Sequence, residues 1–85
     1  MTRATRLISF AEFRSFLNGL GFSAKRAEAG WILHHRTEGL LVFRLYGEQE
    51  TMDERDLRST RKFLDLRGLL EARDFDRFVQ EATPA

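Results

Sequence analysis

Two runs of large apolar residues, Trp31 to Arg36 and Leu40 to Tyr46, are separated only by Thr37, Glu38 and Gly39. A link that short, ending in Gly, has the length and the backbone freedom of a hairpin loop, so the spacing predicts two antiparallel strands joined directly. Such a sheet must bury one face against other elements. The rest of the chain therefore has to supply a covering layer.

The flanking sequence changes period and supplies it. Ser9 and Glu12 have the spacing of a capping box, and Phe10, Phe13, Leu17 and Leu20 then recur at helical intervals, which predicts a helix over 10–18. Asn18, Gly19 and Gly21 are the residues that most readily take a left-handed stop. From Phe22 to Ala29 alternation is weak, with Ala among Lys25, Arg26 and Glu28, which suits a polar edge strand. Thr51 and Glu54 repeat the capping-box spacing ahead of a Leu57, Thr60 and Leu64 stripe with Phe63 beside it, which predicts a helix over 53–67 that stops at Gly68. Leu69 and Leu70 then lead to Asp74, read as the N-cap of a short last helix carrying Phe75, Phe78 and Val79 before Thr83-Pro84. The predicted order is helix, three-stranded antiparallel sheet, helix and short C-terminal helix. It is the α+β arrangement of a double-stranded RNA-binding-domain-like layer.

At 85 residues there is room for one core, expected over 10–82 behind a flexible N-terminus at 1–8. Hydrophobic residues at 42% and eight Phe are ample for that core. No cysteine is present, so the chain is expected in a reducing compartment, without disulfides or thiolate metal ligands. No apolar run has the length of a signal peptide or a membrane span, which adds the expectation of a cytoplasmic protein with no membrane partner. Fourteen Lys and Arg against thirteen Asp and Glu leave a net charge of +1, so any basic footprint must be local.

The helix ending in Leu17-Asn18-Gly19-Leu20-Gly21-Phe22, the following Arg26, the hairpin, and the late Asp56-Leu57-Arg58 running into Gly68-Leu69-Leu70 together resemble the HicA (YcfA-like) toxin family over roughly residues 10–70. The resemblance implies a small double-stranded RNA-binding fold, an mRNA-cleaving activity and a cognate antitoxin protein that restrains it. The family's diagnostic Gly-Ser-His opens the second strand, where its His carries the RNA chemistry. At that place this chain reads Ala29-Gly30-Trp31. An indole has no group that titrates near neutrality, so Trp31 cannot act as a general base. His34 and His35 are the remaining candidates for a catalytic role through a shifted register.

Strand alternation sorts the hairpin into two faces. Trp31, Leu33 and His35 are expected inside with Leu41, Phe43 and Leu45, leaving Ile32, His34, Arg36, Val42, Arg44 and Tyr46 outside. His34, Arg36, Arg44 and Tyr46 are then the candidate RNA- or partner-binding residues, since cations beside an aromatic ring can grip phosphate and stack on a base. The same residues also suit an ordinary wet sheet face, and Ile32, Val42 and Tyr46 suit a protein interface. Adjacent strand residues point to opposite faces, so His34 and His35 cannot easily share a metal ion, and no metal or other cofactor is expected.

The second helix bears Arg55, Arg58, Arg61 and Lys62, but Glu54 precedes Arg58 by four residues and Arg61 precedes Asp65 by four, so local pairing is expected. Phe10, Phe13, Phe16, Phe63, Phe75 and Phe78 read as core. Phe16 and Leu66 lie off their stripes, which fits either a dimer or antitoxin contact or end-of-helix packing. No phosphate-binding Gly loop or nucleophile elbow is present. Three functions stay open: a HicA-like binder of RNA or of an antitoxin-like protein without nuclease activity, an interaction or structural module that never touches nucleic acid, and an active ribonuclease. The oligomeric state is left open.

Overall fold

Ser9 and Glu12 close the capping box. The Ser9 hydroxyl accepts from the Glu12 N–H at 3.2 Å, and the Glu12 carboxylate accepts from the Ser9 N–H at 3.0 Å. This computed structural model describes residues 8–82, in the order α1 (Phe10–Gly19), β1 (Phe22–Arg26), β2 (Trp31–His35), β3 (Gly39–Phe43), α2 (Glu54–Leu66) and α3 (Ala72–Ala82). The strands form one antiparallel sheet in the order β1-β2-β3. The α+β layout expected from the sequence is the one observed, with the helices layered on one side of the sheet.

A helix leaves its first backbone donors without partners inside the helix. Here they are met from a distance: Phe10 N–H bonds to the Glu50 carbonyl at 2.8 Å and Ala11 N–H to the Glu48 carbonyl at 2.9 Å. Met52 N–H bonds in turn to the Ile8 carbonyl at 2.9 Å, and Thr51 forms an isolated bridge with Ser9. The segment between the hairpin and α2 is thus strapped across the start of α1. Ile8 is fully buried there, so the flexible stretch expected over 1–8 does not include it. Residues 1–7 of that stretch, and the Thr83-Pro84 stop, lie outside the described residues.

This strap also corrects the second capping box. Thr51 is occupied with Ser9, and the N-cap of α2 is Asp53, which makes no side-chain cap hydrogen bond. Leu57, Thr60 and Leu64 are buried as their spacing predicts. Gly68, at φ +70°, ends the element. The last helix starts two residues earlier than Asp74, because Asp74 and Phe75 both donate to the Glu71 carbonyl. Asp74 sits in the first turn, where a carboxylate is favoured by the helix dipole.

β1 is shorter than the expected 22–29. It stops at Arg26 because Ala27 N–H turns to the Gly30 carbonyl at 2.8 Å. β3 stops at Phe43 rather than Tyr46. Phe10, Phe13, Phe22 and Phe75 are buried to 2% exposure or less, each contributing about 1.5–3 kcal/mol of apolar burial. Phe16 stacks on Phe78 with ring centroids 3.7 Å apart, joining α1 to α3, while Leu66 is exposed. Arg61 does not pair with Asp65; it makes a two-pronged contact with Asp76 of α3 at 2.8 and 3.1 Å, which raises the guanidinium pKa. Glu54 and Arg58 do pair, loosely, at 3.8 Å.

Candidate functional site

Register sorts the sheet residues without ambiguity. Ser23 of β1, His34 of β2 and Leu40 of β3 form one row across the uncovered face, and Lys25, Ile32 and Val42 form the next. Val42 is 64% exposed and Leu40 49%, and with Ile32 opposite Val42 they leave a contiguous apolar strip facing water. No acid lies in either row. Among the described residues neither Lys25, His34 nor Arg36 makes an ion pair or a hydrogen bond through its side chain, so the charges of Lys25 and Arg36 are unneutralised.

The four residues singled out by alternation do not share that face. His34 and Arg36 are exposed near the turn. Arg44 lies beyond the far end of β3, where it pairs with Glu50 at 2.7 Å and Asp53 at 3.4 Å. These contacts, Glu50 foremost, raise the Arg44 pKa, and Glu50 is held below its usual range by the Gly47 N–H at 2.9 Å and by Arg44. Arg44 is therefore spoken for within the chain.

Tyr46 is the larger correction. Expected outside, it is 3% exposed and central to the core. Its hydroxyl donates to the Asp56 carboxylate at 2.5 Å and accepts from the Asp53 N–H at 3.0 Å, while its carbonyl accepts from the Trp31 indole N–H at 3.0 Å. The ring stacks on Phe10 at 5.4 Å and carries the Arg44 guanidinium 4.0 Å above it. Burial, with the Asp56 contact second, drives the phenol pKa upward. Because strand geometry ends at Phe43, the parity count fails beyond it: Tyr46 turns in, and Leu45, expected inside, is exposed.

His35 is buried as expected, and its ring is fully employed. The backbone N–H groups of Thr37 and Glu38 both donate to Nδ1 at 3.1 Å, which fixes that nitrogen as an acceptor and places the proton on Nε2, 3.1 Å from the Leu20 carbonyl. Phe22 packs edge-on against it at 4.9 Å. The ring ties the hairpin turn to the end of α1, and neither nitrogen is left to accept a proton from a substrate. His35→Ala is expected to cost about 2–4 kcal/mol in urea denaturation, since it removes a buried ring and orphans three backbone groups. His34→Ala, at an exposed position, is expected to stay within about 0.5 kcal/mol of wild type.

Two contributors escaped the sequence reading. Alternation over 40–46 marks Leu40 as a strand residue without assigning it a face, and weak alternation over 22–29 leaves Lys25 unplaced; the register supplies both. Gly30 was seen only as part of a broken signature. A Cβ there would stand 2.2 Å from the Phe43 carbonyl oxygen, so Gly lets β2 and β3 close. Elsewhere an open groove of about 460 Å³ between α1 and α3 is lined by Ala11, Glu12, Ser15, Phe16 and Phe78.

Comparison of the chain with protein-family models, curated proteins and solved structures finds no match. Among the described residues no group of three or more His, Asp or Glu side chains is placed to hold a metal ion. No described helix is long and apolar enough to cross a membrane.

Proposed function

We propose that this chain is a HicA-like binding module without ribonuclease activity, acting in the cytoplasm, whose open sheet face docks an antitoxin-like protein. The observation that carries the reading is the strip of half-buried Ile32 and exposed Leu40 and Val42, flanked by the unpaired cations Lys25 and Arg36 and by His34. Apolar side chains rimmed by charge are the make-up of a protein-binding patch, and the complementary partner presents an apolar segment with acidic flanks. The absence of cysteine favours a reducing compartment.

RNA fits this face less well. Single-stranded RNA is held by stacking bases on aromatic rings, and the single Tyr of the chain is committed to the core. Catalysis has still less support: Trp31 stands where the resemblance puts the family's His, His35 has both nitrogens bonded, and among the described residues no side-chain hydrogen bond orients the His34 ring. The fold alone favours none of these readings over another.

The test is a comparison of tagged wild type and Ile32→Lys expressed in the native cells, with cross-links mapped. One protein should co-purify at a fixed ratio with wild type, cross-link to the Ile32 and Val42 rows, and fall roughly tenfold or more with the variant, as loss of a central apolar contact does. Recovery of RNA in its place, or a partner retained equally by Ile32→Lys, would overturn the reading.

A further inference from the structure

The two edges of the sheet are guarded unequally. Edge strands present unpaired backbone groups, and monomeric proteins blunt them with charge, Pro or bulges. β1 carries Lys25 and Arg26. β3 reads Gly39-Leu40-Leu41-Val42-Phe43, with neither charge nor Pro, and it is the terminal strand on its side. Among the described residues no backbone hydrogen bond from outside the sheet reaches any residue of β3.

The geometry points to this edge as a self-association surface, on which β3 of a second copy pairs antiparallel about a two-fold axis at Leu41 and extends the sheet to six strands. In that register Leu40 of each copy faces Val42 of the other, which covers the two most exposed aliphatic residues of the strand. Leu41 meets its own counterpart on the inner side.

Charge selects the same orientation. The turn end of the hairpin carries Arg36, Glu38 and Arg67, whose guanidinium bonds to the Glu38 carbonyl at 2.8 Å; its net charge is one positive. The far end carries Arg44 with Glu50 and Asp53, a net charge of one negative. Antiparallel pairing sets each positive end beside a negative one, twice, as an isologous contact requires. Parallel pairing would set like ends together.

This inference does not depend on the protein-docking reading, because it concerns the purified chain alone. The experiment is light scattering with size exclusion from micromolar to millimolar protein, joined to hydrogen exchange of the β3 amides. A dimer mass should grow with concentration, and the β3 amides that point away from β2 should gain protection in parallel. Val42→Lys should raise the dimer Kd roughly tenfold or more, whereas Glu28→Lys, a cation added away from the edge, should leave it unchanged. Added salt should weaken the wild-type dimer. A monomer at millimolar concentration with unprotected β3 amides would overturn the proposal, as would a dimer that Val42→Lys leaves intact. Either failure leaves the Ile32→Lys result standing.

Discussion

Tyr46→Ala is expected to be strongly destabilising. The substitution removes a ring stacked between Phe10 and the Arg44 guanidinium, and it deprives the Asp56 carboxylate and the Asp53 N–H of their shared hydroxyl. Truncating a buried aromatic residue costs about 3–5 kcal/mol, against a total stability of roughly 5–15 kcal/mol for a small domain. Tyr46→Phe isolates the hydroxyl: it retains the ring and is expected to cost about 1–3 kcal/mol, the range for losing a part-buried hydrogen bond to a charged group. Urea denaturation followed by circular dichroism measures both, and the alanine variant should lose more than the phenylalanine variant, because it gives up the ring as well as the hydroxyl. Equal, small losses would mean that Tyr46 does not tie the strap to α2.

Gly30→Ala is expected to be nearly as damaging, for a different reason. Gly30 has an ordinary backbone conformation, so the added methyl fails on space, standing 2.2 Å from a backbone oxygen that cannot rotate away. Either β2 and β3 separate or the Ala27–Gly30 turn opens, and forcing an extra carbon into a closed contact costs about 3 kcal/mol. For a domain of this size that is roughly 12–24 °C in Tm. Gly19→Ala is the control. It lies within α1 with open space around the added carbon, and it is expected to stabilise by about 0.5–1 kcal/mol. Differential scanning fluorimetry of the two variants should move Tm in opposite directions.

What the sequence made legible was the part of the molecule governed by local rules. The Ser9–Glu12 box, the Leu57, Thr60 and Leu64 stripe, and the inward Trp31, Leu33 and His35 all follow from spacing within one element, and all are observed. The errors fall where a distant segment competes. Thr51 has the spacing of a cap, yet it bridges to Ser9 because α1 needs partners for its first donors. Tyr46 has the parity of a surface residue, but the strand ends three residues earlier and Trp31, Asp53 and Asp56 draw the side chain inward. The candidate site suffered most from that single error. Removing Tyr46 from the open face takes away its aromatic residue and leaves an aliphatic and cationic surface, which moves the functional reading from RNA toward protein.

Whether the open face serves a protein partner and performs no RNA chemistry is decided by an NMR titration with RNA. A short duplex and a single strand are added at low and moderate salt while the backbone amides of β1, β2 and β3 are followed, and the same RNAs are examined for cleavage. Intact RNA is expected, with no salt-sensitive shifts clustered on Lys25, Ile32, His34, Leu40 and Val42. Shifts concentrated on those residues that fade with added salt, or cleavage abolished by His34→Ala, would contradict the protein-docking reading.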